Sequence, residues 1–265
     1  MAVWYVVPAK RPLAESTLPM WKAAGYKIAV LLDTVPIMTA EPFDLAYFSV
    51  PIFGAYPGYA RAVNALVSEV LQRDATCEWI VTGGDDITPD PAHSPEEIAR
   101  ECSGYFQLLN VRNALAEYTE ARTDAHAPEY KYGPTFGVMQ PTGDRYGDTE
   151  RHLGAFGSAY IDRVCGSPWL GREFCLRINQ GHGPLWPGYF HMGCDEELQA
   201  ISTKLGVLWQ RPDLTHYHRH WARARQEASN MPEFLKRAND PEEWRKYKAL
   251  FAERLAAGFP GSEPL

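Results

Sequence analysis

Apolar residues in this chain fall into short runs separated by polar punctuation. Val3 to Val7 is too short for a helix and reads as a buried strand, ending in the loop Pro8 to Pro12. Leu13 to Ala24 has helical spacing and stops at Gly25. Lys27 to Leu32 is a second strand closed by Asp33, and Leu45 to Val50 is a third. After a glycine-rich turn, Gly54 to Gly58, a helix is predicted from Tyr59 to Gln72. Its Ala62, Leu66 and Val70 recur at four-residue steps on one face. Trp79 to Thr82 is a fourth strand and runs into Gly83-Gly84-Asp85-Asp86. This order predicts an α/β fold: a Rossmann-like, mainly parallel sheet flanked by helices. Ligands in such sheets bind beyond the carboxyl ends of the strands.

The second half is less regular. Ser94-Pro95-Glu96-Glu97 has the residues of a helix start, and residues 120–134 read as a connection. A strand is expected over Thr135 to Gln140 and a helix over Trp169 to Ile178. Asn179 to Gly188 holds three glycines and two prolines and reads as a loop. Asp195 to Leu205 has acids in its first turn and Gly206 at its end, which suits a helix. Val207 to Gln210 reads as a short strand. Two amphipathic helices, 231–238 and 241–257, are expected in a C-terminal helical tail. The division implied is a domain over residues 1–222, with halves 1–92 and 133–222, and a helical extension over 223–265.

Composition narrows the class. The chain has 265 residues, 45% of them hydrophobic, enough for one large core. Its net charge of -7 leaves no whole-chain basic footprint for nucleic acid. Five cysteines without a CxxC pair point to neither a disulfide framework nor a zinc knuckle, and suit a reducing, cytoplasmic setting. The first residues lack the basic leader and apolar length of a signal peptide. No apolar run approaches the roughly 20 residues of a membrane span.

Three clusters carry candidate chemistry. Asp85 and Asp86 end a buried strand after two glycines. Such carboxylates suit a hard divalent cation, and Mg2+ often needs only one or two carboxylates plus substrate phosphates; a polar turn is the plain alternative. Asp195 and Glu196 open a helix, whose N-terminus favours an anion and so lowers basicity. His216, His218 and His220 alternate, so on a strand all three would project to one face. That allows metal ligation, including a three-histidine site. Arg11 is able to pair with phosphate. His182 and Trp186, in the glycine-rich loop, are candidates for a lid that shields an activated substrate from water.

Taken together, the strand–loop start Val3 to Arg11, the acid Asp33 after the second strand and the run Trp79 to Asp90 resemble the GT-A class of nucleotide-diphospho-sugar glycosyltransferases (family 2-like) over roughly residues 1 to 222. The family's DxD motif ends the corresponding strand. This chain departs from it, because Gly84 stands at the first acidic position. The resemblance implies a transferase that moves a sugar from a nucleoside-diphosphate sugar to an acceptor hydroxyl with Mn2+ or Mg2+. Asp86 would be the direct metal ligand, with His218 completing the site and His216 next in rank. Asp85 would face the ribose or a metal-bound water. Pro8, Ala9 and Arg11 would wrap the base or ribose, Asp33 would accept from the nucleobase, and Tyr59, Arg61 and Asn64 would lie near the nucleotide. Asp195 would be the base of an inverting transfer, with Glu196 in reserve.

The acceptor is open between a glycan, a small molecule and a hydroxymethylated DNA base of the phage type. Two rival readings remain, a nucleotidyltransferase and a non-catalytic nucleotide-sugar-binding protein. The first would want a glycine-rich loop after the first strand, which Pro8 to Pro12 lacks.

Overall fold

Burial on both faces explains the first strand. The computed structural model describes residues 1–9, 16–32, 43–48, 56–121, 131–144, 164–219, 236 and 240–265, excluding the side chains of 117–121. Ala2–Ala9 forms β1, and Val3 to Val7 are all buried within it. That continuous burial marks a parallel strand covered above and below. Helix α1, Leu18–Ala23, leads to β2, Lys27–Leu32, which pairs in parallel with β1; β3, Leu45–Phe48, extends the sheet in the same sense. Helix α2, Tyr59–Arg73, buries Ala62, Leu66 and Val70, the face its spacing predicts. Strand β4, Cys77–Thr82, pairs in parallel with β1 on the side opposite β2.

After the two-residue strand β5, Ile87–Thr88, comes α3, Pro95–Ala121. Its start is a capping box. The Glu97 carboxylate accepts from the Ser94 backbone N–H at 2.9 Å, and the Glu97 N–H donates to Ser94 Oγ at 3.3 Å. The second half adds β6, Val138–Pro141, and β7, Trp169–Gly171. A short helix α4, Arg172–Arg177, follows β7 and runs into a 3-10 turn, Ile178–Gly181. Then come α5, Cys194–Lys204, β8, Leu208–Arg211, β9, Tyr217–His218, and α6, Pro241–Ala256.

Among the described residues the larger sheet has seven strands in the order β3-β2-β1-β4-β7-β6-β8, and β5 pairs with β9 separately. Of these described strands, only β7 runs antiparallel to its neighbours. This is the mainly parallel, helix-flanked α/β architecture expected, with a helix at its C-terminal end. One element differs. The helix expected over Trp169 to Ile178 begins only at Arg172, because Trp169, Leu170 and Gly171 bridge β4 and β6 as a strand. Sheet pairing there overrides a helix-compatible pattern.

Much of the aromatic content is core. Tyr5, Trp21, Tyr26, Trp79 and Trp169 are among the largest fully buried side chains. All five cysteines are buried and unpaired. No helix among the described residues is long and apolar enough to cross a membrane. The division at residue 222 and the helix expected over 231–238 fall outside the described residues, apart from Lys236.

Candidate active site

The carboxyl ends of β1, β2 and β4 lie together, and the turn after β4 is bound from three directions. Tyr5 donates its hydroxyl to Gly84 O at 2.6 Å, and the Ile87 N–H returns to the same carbonyl at 3.1 Å, closing the turn. From α1 and the residue before it, the Thr17 N–H donates to Asp85 O at 3.0 Å and Trp21 Nε1 donates to Ile87 O at 2.6 Å. Thr17 Oγ1 also bonds Ile87 O. From beyond β9, the Arg219 N–H donates to Asp86 O at 2.8 Å. Tyr5 stacks on Trp21 with ring centroids 3.9 Å apart, so an aromatic floor lies beneath the turn. The Asp86 carboxylate folds back over Gly84, where an added Cβ would lie 2.5 Å from Asp86 Oδ1. A side chain at position 84 would have to displace the end of the Asp86 carboxylate, so glycine leaves Asp86 its place beside His218.

Strand pairing brings His218 to Asp86. β5 and β9 run antiparallel with Ile87 opposite His218, which sets His218 Nε2 3.2 Å from Asp86 Oδ1. The His218 side chain remains 30% exposed. Asp144 accepts the His218 backbone N–H at 3.2 Å. Asp86 and His218 thus offer one oxygen and one nitrogen donor side by side, which fits a divalent cation that takes its remaining ligands from phosphate and water. Among the described residues, no three His, Cys, Asp or Glu side chains come together as a metal site.

His216 occupies a different setting from His218. It has the same sequence spacing but sits in the core, 4% exposed and edge-on to Trp21. Its Nδ1 is 2.7 Å from Ser167 Oγ, and its Nε2 accepts from Trp169 Nε1 at 3.5 Å. Burial pushes its pKa down to about 4. Both ring nitrogens are thus engaged within the core, and His220, the third of the alternating histidines, lies outside the described residues.

Tyr59, the first residue of α2, bridges the turn and the second acidic cluster. Its hydroxyl lies 3.1 Å from Thr82 Oγ1 and donates to Gly83 O at 3.2 Å. Burial holds that hydroxyl well above the ordinary phenol range; the Thr82 hydrogen bond opposes the shift, and the nearby Cys194 and Asp195 add to it. Asp195 lies in the first turn of α5, after Gly193 in the left-handed conformation. Its Oδ1 accepts the Glu196 N–H at 3.1 Å. Burial raises its pKa and outweighs the lowering by backbone hydrogen bonds, so the expected depression by the helix N-terminus is reversed.

Other expected residues divide. Pro8 and Ala9 are the last residues of β1, paired with Leu31 and Leu32. Arg11 and Asp33 lie outside the described residues. Asn64, expected beside the nucleotide, instead holds the backbone of Leu185 at both ends, donating to its carbonyl at 2.6 Å and accepting its N–H at 3.1 Å. Arg61 donates to Pro187 O at 3.1 Å. The loop expected as a lid is therefore pinned to α2. His182 is exposed, and Trp186 lies under the Arg254 guanidinium, 3.5 Å from ring centre to carbon. Tyr5, Thr17 and Asp144 were not singled out from the sequence. Their roles depend on contacts 68 to 79 residues away, or 74 in the case of Asp144, and no local pattern marks them.

No protein-family model matches the chain, and no curated protein matches it in sequence. Solved structures do resemble it. The catalytic domain of a Drosophila β1,4-galactosyltransferase 7 with xylobiose is 14% identical, over 89% of this chain and 78% of that one, with a TM-score of 0.44. A mutant of that enzyme with manganese, UDP-galactose and xylobiose is also 14% identical, over 89% and 80%, with a TM-score of 0.43. A glycosyltransferase involved in glycosylating the major capsid of PBCV-1 is 8% identical, over 64% and 60%, with a TM-score of 0.27. The solved structures to which this chain is similar are thus described as glycosyltransferases.

Proposed function

We propose that this chain is a metal-dependent glycosyltransferase that moves a sugar from a nucleoside-diphosphate sugar to an acceptor hydroxyl. The observation that carries the reading is the placement of Asp86 beside His218, on the turn that ends β4, with Asp195 across Tyr59. Asp86 and His218 would hold Mn2+ or Mg2+, which supplies charge neutralisation to the leaving diphosphate. Asp85 would meet the ribose, and Pro8 and Ala9 would border the base, with Arg11 and Asp33 beyond them. Tyr5 and Tyr59 fix the backbone of the turn, so its carboxylates need little rearrangement when donor arrives.

Asp195 would act as the general base, with Glu196 as the neighbouring second candidate. The acceptor oxygen attacks the anomeric carbon and its proton passes to the carboxylate. The bond from that carbon to the diphosphate oxygen breaks, and the nucleoside diphosphate leaves with the electron pair. A single displacement inverts the anomeric configuration. Five unpaired cysteines support a reducing, cytoplasmic setting.

Thermal shift with UDP-, GDP- and dTDP-sugars, with and without Mn2+, tests this. Metal-dependent stabilisation by one sugar nucleotide, followed by slow donor hydrolysis, is expected. Stabilisation by nucleoside triphosphates alone would favour a nucleotidyltransferase, and binding without turnover a binding protein. The anomeric proton coupling of the product reports inversion, and retention of the donor's configuration would rule out a single displacement.

A further inference from the structure

We propose that Asp144 is a positioning residue of the metal site: its carboxylate holds the β9 backbone at His218 and so sets the imidazole beside Asp86. This rests on the metal-dependent glycosyltransferase reading.

Strand pairing alone fixes β9 weakly. It has two residues, pairs with β5 through Ile87 opposite His218 and Thr88 opposite Tyr217, and lies outside the larger sheet. A two-stranded ladder of this length is marginal in water. Burial adds little at the ligand itself, because the His218 side chain is partly exposed. Successive N–H groups of a strand point to opposite edges. The Arg219 N–H is spent on Asp86 O, on the β5 side, at 2.8 Å. The His218 N–H therefore points away from β5, and Asp144 Oδ2 receives it there at 3.2 Å. β9 is thus held at both edges, by a strand on one and by a side chain on the other.

The chain before Asp144 reaches β9 by prolonging a contact of the larger sheet. β6 and β8 pair in parallel as far as Pro141 and Arg211. Beyond them the Thr142 N–H donates to Arg211 O at 2.9 Å, and the Gly143 N–H to Leu214 O at 2.8 Å. Residues 142–144 thus follow the segment that leads into β9. Gly143 permits the close approach. A Cβ there would lie 2.6 Å from Leu214 O and 3.0 Å from Pro212 O, backbone atoms that no change of rotamer moves.

A second acid works on the same segment, since the buried Asp90 accepts the Thr215 N–H at 2.8 Å. Three acids therefore serve this corner in different ways. Asp86 offers its carboxylate to the cation, Asp90 anchors the approach to β9, and Asp144 fixes the residue that supplies the nitrogen. A carboxylate suits that last task, because a charged acceptor bonds a backbone N–H more strongly than a neutral one. Groups that orient a metal ligand in this way typically change metal affinity about 10–100-fold when removed.

The test uses the full chain with Mn2+ and the sugar nucleotide that gives the largest thermal shift. Bound Mn2+ is read from the loss of the free ion's electron paramagnetic resonance signal. Asp144→Ala is expected to weaken Mn2+ affinity about tenfold. Asp144→Glu keeps the charge but displaces the acceptor, and should also weaken it, by about fivefold. Asp144→Asn keeps an acceptor oxygen without the charge, and should stay within about threefold of the parent. The deciding arm is a double-mutant cycle. In a His218→Ala background, Asp144→Ala should change Mn2+ affinity by less than about twofold, because the residue acts through His218. Equal losses in Asp144→Asn and Asp144→Ala would make charge the cause and overturn the positioning role. So would parent-like affinity in the Ala and Glu variants, or a tenfold loss that persists without His218. Failure of the parent chain to retain Mn2+ with any sugar nucleotide would instead overturn the metal-dependent transferase reading, and this inference with it.

Discussion

Two contacts between a carboxylate and a basic side chain flank the proposed reaction centre, and they differ in exposure and in what they join. Asp86 and His218 meet through one contact of 3.2 Å, and His218 reaches solvent. Glu197 and Arg254 meet through two, Nε to Oε2 at 2.7 Å and Nη2 to Oε1 at 2.6 Å, and both are nearly inaccessible. Tyr189 and Ser262 also donate to Glu197, at 3.0 and 2.7 Å. Arg254 donates further to Ser262 Oγ and Pro260 O. The first pair reaches solvent through His218. The second is saturated and joins α5 to α6 and to the loop that bears Tyr189. Contact between a carboxylate and a basic side chain therefore does not by itself mark a functional site; what separates the two is the exposure of the basic partner.

The largest effect should come from the saturated pair. Arg254→Met leaves Glu197 buried without its partner, and chemical denaturation should show a loss of about 3–5 kcal/mol. A loss confined to catalysis would break the contrast. Asp86→Asn should do the reverse. Transfer should fall roughly 10^2–10^3-fold, with the Mn2+ dependence of donor binding abolished and the unfolding midpoint barely moved. His218→Ala should be milder, weakening Mn2+ affinity about 10–100-fold in a titration with donor present.

Asp195 adds a dependence on pH. Its raised pKa means that the base form is populated only above the ordinary carboxylate range, so kcat/KM should rise with pH through a value above about 3.9. The same shift favours the protonated form in the folded state, so its contribution to stability is lost as the pH rises through that value. Activity and this part of stability then move in opposite directions, and Asp195→Asn should remove both slopes. The smallest effect is expected of His216→Phe, which orphans Ser167 and Trp169. It should cost about 1–3 kcal/mol and leave the metal titration unchanged. A changed metal requirement would return His216 to the site.

The sequence made some of this legible and hid the rest for definite reasons. β1, β2 and α2 follow from apolar periodicity, and α3 starts at Ser94 because its capping residues are local. β7 was hidden because three residues are too few to display alternation, and its identity as a strand depends on partners in β4 and β6. The histidines show the same limit. Residues 216 and 218 are equivalent by spacing, yet Trp21 and Trp169 bury the first while β5 places the second beside Asp86. Arg254 and Glu197 are 57 residues apart, and neither carries a local sign of the other.

The crowding at Gly84 also bears on how this turn is able to change. A single Gly84→Asp exchange, which would restore alternating acids, drives a side chain into the Asp86 carboxylate. Asp86 would have to turn away first, giving up its place beside His218. The residue at position 84 is thus coupled to the rotamer of Asp86, and through it to the Asp86–His218 contact.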